Sequence, residues 1–205
     1  MASRSTKSIV DGRRAAPPSV ESLPLEQRER RDRIVSAAVA LMASEDYERI
    51  QVKDVADAAG VALGTLYRYF ASKDHLFACA LASWAGGFGD DMISGGPGRA
   101  PDRVKALFRR SVRAFERQPH VWGALHTLQA SNDPYTVEAY RTFSQHQQAA
   151  YVGALARVPE ERRADIIAVM TAVLAQNLRE WHLGHQPIAS VYDTIDRAVD
   201  LIFPR

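Results

Sequence analysis

The sequence predicts an all-α fold, with a three-helix unit near the N-terminus and a larger helical region behind it. Three observations carry this. Apolar residues recur at three- and four-residue spacing along most of the chain, the period that lines one face of a helix. Pro119, Pro134, Pro159 and Pro187 each stand near the start of such a segment, where a missing N–H is tolerated. No stretch alternates apolar and polar residues as a half-buried strand does.

Residues 1–24 mix Ser, Pro, Gly and basic side chains without an apolar period, and a flexible tail is expected there. From Leu25, the run "LEQRERRDRIVSAAVALMASEDY" sets Ile34, Ala37, Ala38, Leu41 and Met42 on one face and gathers its charges in the first two turns, which makes an amphipathic helix. In "QVKDVADAAGVALGTLYRYF", Val55, Ala56 and Ala59 fit the inner face of a short helix, and Val61 and Leu66 fit the core side of another. Gly60 between them suits the positive φ of a tight turn. Ala56 lets the two helices approach, while Phe70 and Leu76 close the core against Ile34 and Leu41. This is a helix-turn-helix. The run "SKDHLFACALASWAGGF" continues as a helix that fades into a loop over 86–101, where six of the twelve glycines fall between Gly86 and Gly98. Helical segments follow near 102–117, 120–131, 134–157, 160–184 and 188–203. The chain thus divides into a tail (1–24), a helix-turn-helix domain (25–72) and a larger helical domain (73–205).

Composition narrows the function classes. The chain has 205 residues, 46% hydrophobic and 24% charged, which is ordinary globular usage. No run of eighteen apolar residues and no N-terminal apolar signal region is present, so no membrane span is expected and a cytoplasmic location is. The single cysteine, Cys79, excludes an internal disulfide framework. Net charge is +2, but residues 1–33 hold eight basic against five acidic side chains. A basic end on a nearly neutral body suits a polyanion, and equally a solvated tail. Catalysis has little visible apparatus: there is neither a glycine-rich phosphate loop nor a G-x-S-x-G turn. His182 and His185 stand at i, i+3 with Glu180 nearby, a spacing open to a metal site or to a plain surface helix end. No cofactor is expected.

Leu63, Gly64, Thr65, Tyr67, Arg68 and Tyr69 are not all needed by the three-helix core and are left to face outward. A recognition helix presents such side chains to base edges in the major groove, while flanking hydroxyls and cations hold phosphates. The run "IQVKDVADAAGVALGTLYRYFASKDHL" resembles the DNA-binding signature of the TetR family of bacterial regulators, and the helix order over 25–205 is similar too. The resemblance implies an all-helical homodimer that binds an inverted-repeat operator in double-stranded DNA and a small hydrophobic effector in its C-terminal domain. The chain departs from the family at Gln51, where threonine is usual, and at Ala62, where serine is frequent, so neither is assigned a capping or phosphate-binding hydroxyl. More narrowly, "EQRERRDRI", "GTLYRYF" and "NLREW" are similar to actinobacterial repressors of steroid catabolism, which implies a bulky effector, a steroid or its CoA thioester.

Carried over residue by residue, the resemblance gives Lys53 a base or phosphate contact, and Thr65, Tyr67, Tyr69 and Lys73 phosphate or groove contacts. Gly64 permits close backbone approach. Leu63 is open to two readings, a thymine methyl contact or packing on the first helix. Arg68 has the geometry to read guanine in bidentate fashion. Tyr69 is also a candidate core ring, and Arg13 and Arg14 in the tail are candidates for a minor groove.

The C-terminal region holds Trp84, Phe88, Met92, Phe108, Phe115, Trp122, Tyr140, Phe143, Met170 and Trp181. Aromatic and Met side chains at helical spacing fill cores by default. The family resemblance nevertheless implies an effector cavity among these helices, with His126, Gln129, His146 and Asn177 as polar candidates to orient a ligand. "DIIAVMTAVLAQNL" is apolar nearly all round and "VYDTIDRAVDLIF" adds a stripe. Two such helices per subunit would build a four-helix dimer seam through Ile166, Val169, Val173, Ile195, Val199 and Ile202. Two further readings stay open: a constitutive DNA-binding or interaction protein without a ligand, and a metal-dependent helical enzyme.

Overall fold

The computed structural model describes residues 16–86 and 98–204, and within them the chain is helical, with no strand. The order is α1 (Leu25–Ser44), α2 (Val52–Ala58), α3 (Leu63–Tyr69), α4 (Lys73–Gly86), α5 (Ala100–Arg117), α6 (Pro119–Gln129), α7 (Pro134–Ala154), α8 (Glu160–His182) and α9 (Ile188–Ile202). The core of the glycine-rich loop lies outside the described residues, as do Phe88, Met92, Arg13 and Arg14. Residues 16–24, expected as tail, carry a 3-10 turn at Val20–Ser22. Leu23 is buried, and the Arg28 guanidinium donates to the Leu23 carbonyl at 2.7 Å and the Glu21 carbonyl at 2.5 Å. Burying one apolar side chain and anchoring two carbonyls offsets the entropy that a free tail keeps.

Local chemistry explains each joint of the reading unit. Asp54 accepts from the Gln51 backbone N–H at 2.9 Å, so α2 is capped from its own third residue although the threonine usual at position 51 is missing. At its end Gly60 takes φ +66°, Val61 N–H reaches the Ala56 carbonyl at 3.0 Å and Gly60 N–H reaches Asp57 at 3.2 Å. These paired bonds satisfy the last carbonyls of α2 and aim α3 away from it. Ile34, Ala38, Met42, Val55, Ala56, Leu66 and Phe70 are buried together, the core that the helical period indicates.

α4 belongs to both halves of the molecule. Leu76, Phe77, Ala78, Ala80, Leu81 and Ala82 are all buried, and the helix packs on α1 of the reading unit and on α7 of the larger domain. In that domain α5 lies against α9 and α8 against α9. Arg109 pairs with Asp196 at 2.6 Å and Lys105 with Asp200 at 2.8 Å across the α5–α9 contact. No described helix is long and apolar enough to cross a membrane.

Half of the expected dimer seam is corrected by the packing. Ile166, Ile195 and Val199 are buried inside the chain's own core, because the stripe of α9 turns inward against α5 and α8. The apolar side chains left outside on these helices include Val169, 50% exposed, and Leu201, 82% exposed; Val173 and Ile202 are half-buried.

The junction between the two halves is polar. Ser72 Oγ accepts from the His75 N–H at 3.0 Å and so caps α4. The same hydroxyl donates to Asp133 at 2.9 Å, and Asp133 in turn caps α7 by accepting from Thr136 Oγ1 at 2.7 Å and from the Tyr135 N–H. Asp74 accepts from Ser131 Oγ at 3.2 Å and from the Tyr47 hydroxyl. The His75 ring stacks on Tyr135 and stands edge-on to Phe70. Its Nδ1 accepts from the Ala71 N–H at 3.1 Å, which requires the neutral ring.

Burial pushes His75 down to about 4, with Asp133 opposing the shift and Arg31 adding to it. A histidine depressed in the folded state binds fewer protons there than in the unfolded chain, so stability is lost as pH falls from about 6.5 to about 4. The loss attributable to this ring is about 2 kcal/mol once solvent screening is allowed for. Urea melts of the parent and of His75→Gln at fixed protein concentration across this window should therefore converge by that amount toward pH 4. Parallel curves would show that the ring's charge plays no part.

Candidate DNA-reading helix and effector cavity

α3 turns one side inward and leaves the other open. Leu66 and Tyr69 are buried on the inner side. Leu63, 41% exposed, lies with Gly64 and Arg68 on the outer side, and Thr65 and Tyr67 sit half-buried at its margins. Lys53 is exposed on α2. A Cβ added at Gly64 would meet nothing within 4 Å, so packing within the chain does not demand glycine there and the flat surface is left for something outside. Tyr69 is 5% exposed; of its two readings the packing gives its ring to the core. Lys73 is folded back: its Nζ donates to the Tyr47 carbonyl at 2.5 Å and stands 4.3 Å from the centre of the Tyr47 ring. Burial lowers its pKa, while Glu48 and Asp74 hold it up. A phosphate contact from Lys73 requires this ammonium to swing outward. The composition-based reading of the tail missed one neighbour: Ala16 and Pro18 line a cleft with Gly64, Tyr67, Arg68 and Tyr69.

In the larger domain the structure brings together Trp84, Phe115, Phe143 and His146, the aromatic part of the expected effector site. They line a small cavity with Tyr151, Ser111, Gln147 and Arg110. Phe108 stands behind the wall, stacked on Tyr151 at 5.2 Å, and Trp122 meets Phe115 edge-on at 5.1 Å. Phe108 and Trp122 thus back the lining without being part of it, and four more expected residues stand away from it. His126 and Gln129 are exposed on α6. Met170 is fully buried in the core, and Asn177 spends its amide on the Val173 carbonyl at 2.8 Å and its oxygen on Gln186 at 3.2 Å. The reason is register: these four sit on faces of α6 and α8 that turn to solvent, to the core or to the α8–α9 turn.

The cavity holds only about 40 Å³, but its wall is shared with a groove of about 920 Å³. Trp84, Arg110 and Ala114 line both. The indole Nε1 of Trp84 donates to Gln118 Oε1 at 2.5 Å, and the ring leans on Phe115 at 5.3 Å. Arg109, Arg110, Arg113 and Arg117 all line the groove from α5, facing Ser36 and Val39 of α1. The arginines were readable in "FRRSVRAFER", yet a charge run on a helix ordinarily marks a solvated face, and only the neighbouring cavity distinguishes this one. Among the described residues no three His, Cys, Asp or Glu side chains converge as a metal site would require. His185 instead bonds Glu180 at 2.9 Å on the surface.

Comparison with known proteins agrees with this geometry. Residues 34–80 match the family described as "Bacterial regulatory proteins, tetR family", and residues 98–202 match "Tetracyclin repressor-like, C-terminal domain". The chain is 30% identical over 178 residues to the HTH-type transcriptional repressor KstR of Rhodococcus jostii, covering 86% of this chain and 84% of that protein. It is 31% identical over 179 residues to KstR of Mycobacterium tuberculosis, covering 86% and 81%. A solved TetR transcriptional regulator from a Rhodococcus species superposes with a TM-score of 0.72 at 27% identity, over 88% of this chain and 98% of that one. The fold is also that of FadR from Bacillus subtilis, solved in complex with stearoyl-CoA, with a TM-score of 0.65 at 16% identity over 82% and 96%. The chain therefore belongs to the TetR family, and it is a transcriptional regulator rather than an enzyme.

Proposed function

We propose that this regulator is a homodimeric repressor of an inverted-repeat operator, released by an amphipathic effector with an apolar body and a polyanionic head. The observation that carries the effector class is the shared wall: Trp84, Arg110 and Ala114 line both the apolar cavity of Phe115, Phe143 and Tyr151 and the four-arginine groove of α5. Guanidinium groups match phosphate in bidentate geometry, so a CoA thioester fits both ends, its acyl or steroid body in the cavity and its phosphates on the groove. The FadR complex with stearoyl-CoA supports the reading as a precedent within the same fold. So does the likeness of "NLREW" and "GTLYRYF" to steroid-catabolism repressors. A cavity of about 40 Å³ is far below the roughly 300 Å³ of an ordinary ligand site. Occupancy therefore requires Trp84 to leave Gln118 and swing aside.

Binding of stearoyl-CoA and choloyl-CoA, followed by calorimetry, tests the reading against the constitutive one. Arg110→Ala with Arg113→Ala should weaken either thioester at least tenfold and leave the corresponding free acid nearly unaffected, since a charge-assisted hydrogen bond contributes about 1.5–3 kcal/mol. An equal loss for thioester and free acid would remove the phosphate role. Binding of neither compound, beside tight operator binding, would favour the constitutive regulator.

On the DNA side, Arg68 is the exposed cation of α3 and carries the direct-readout assignment. Selection from random duplexes should enrich a two-fold-related site, and Arg68→Ala should relax one base position per half-site by about 1–3 kcal/mol. No enriched two-fold motif at low salt would sink the operator reading.

The dimer seam is assigned to the apolar residues left outside on α8 and α9: Val169, Val173 and Ile202 of the expected set, with Leu201 added in place of the buried ones. A charge at Val169 would be desolvated without a partner in such a seam. Val169→Asp should sediment as a folded monomer at micromolar concentration; a folded dimer would move the seam elsewhere.

A further inference from the structure

We infer that residues 16–24 are a strap that steers the basic N-terminal segment into the minor groove beside each half-site, where it reads A·T base pairs outside the reach of α3. The inference rests on the operator reading above and adds a second DNA-contacting surface to it.

The strap is fixed at one end. Leu23 is 5% exposed and belongs to the same core as Ile34 and Leu66. The Arg28 guanidinium spans the turn before it, donating to the Leu23 and Glu21 carbonyls. The turn itself is closed by the Ser22 N–H and hydroxyl, which donate to the Ser19 carbonyl at 3.1 and 2.7 Å. No anion is neutralised by this use of Arg28. What it fixes is the direction in which the chain leaves the core. Ahead of the turn, Pro17 and Pro18 have φ set by their rings, and Ser19 continues them at φ −65° and ψ 145°. That is the extended polyproline geometry of a stiff spacer.

The other end lies against the DNA-reading surface. Ala16 and Pro18 line a cleft of about 420 Å³ with Gly64, Tyr67 and Arg68 of α3. Neither strap residue brings a charge to Arg68, so the strap flanks this cation without neutralising it. With α3 in the major groove, Ala16 stands at that groove's edge. Before it the sequence holds Arg4, Lys7, Arg13 and Arg14 against Asp11 alone. Arg13 and Arg14 are separated from Ala16 by at most about 10 Å of chain, and a guanidinium side chain reaches further. The major groove is about 12 Å wide and the minor about 6 Å, so this length crosses the single phosphate strand between them. Arginine suits that destination, because a narrow A·T minor groove concentrates negative potential and arms of basic residues insert there. Charge alone would serve a phosphate contact anywhere on the duplex. The anchored, stiff spacer is what confines the arginines to one flank.

The test separates the two grooves chemically. Duplexes carry the selected two-fold site between flanks of A·T, inosine·C, G·C or 2,6-diaminopurine·T pairs, and affinities are measured on the full chain. The parent should bind the A·T and inosine·C flanks alike and the other two about tenfold more weakly, since only the latter place an amino group in the minor groove. Arg13→Ala with Arg14→Ala should lose the flank preference and keep the two-fold core site. Leu23→Ser, which leaves every charge in place, should cut the preference at least about threefold. Should it fail to fold, Pro17→Gly with Pro18→Gly, neither of them a core residue, must show the same loss. Equal binding to all four flanks, or a preference that survives in either kind of folded variant, overturns the strap and leaves the operator reading standing. Inosine·C behaving like G·C overturns it as well, by putting the contact in the major groove. Tighter binding by the arginine variant overturns it too and makes the segment a cover over α3. A parent that selects no two-fold site overturns both readings.

Discussion

Everything in this molecule depends on α4 being buried from both sides. Its run Leu76, Phe77, Ala78, Ala80, Leu81, Ala82 has almost no polar face, so the helix gains stability only when α1 covers one side and α7 the other. Burying each large apolar side chain contributes about 1.5–3 kcal/mol, and the alanines let the neighbouring backbones approach closely. The reading unit and the effector domain consequently share one core instead of meeting at a soft interdomain surface. A change in either has to be expressed through α4, which is the physical condition for regulation.

Polar groups then decide what moves and what stays. The exposed ion pairs along α5 and α9 contribute little singly, because water and salt screen them. The half-buried bonds at the start of α4 are of another kind: Ser72, Asp133 and Thr136 satisfy helix ends that would otherwise be left open near the core. Fixing both helix starts there while leaving an apolar cavity and a tryptophan wall at their far ends puts rigidity and yield on opposite sides of one helix pair. The arginine groove would add direction, since an anionic head held on α5 would draw the apolar body of the proposed effector toward Trp84.

The reading unit was legible because a single strong pattern specified it: Gly60 at the turn, small residues at the helix crossing and a spare outer face from Leu63 to Arg68. The junction was less so. Ser72 and Asp133 are distant in sequence, and no local pattern reports that their side chains meet. The dimer seam was half legible for a definable reason. Helices apolar nearly all round say that two faces are buried but not which one meets the chain's own core, and Ile195 and Val199 proved internal while Val169 stayed outside. Residue type picked out Trp84, Phe115, Phe143 and His146 of the cavity lining, but exposed His126 and back-bonded Asn177 show that a polar residue on an apolar helix need not point into a cavity.

The central claim is that filling the cavity changes the separation of the two reading heads in a dimer. Spin labels on Asp57→Cys, an exposed site of α2, in a Cys79→Ser background would report that separation by pulsed dipolar spectroscopy. With operator bound, the distribution should be narrow, as half-sites about 34–36 Å apart require. Saturation with a CoA thioester should move its mean away from the operator-bound value and broaden it. An unchanged distribution, with calorimetry showing the cavity full, would contradict the mechanism.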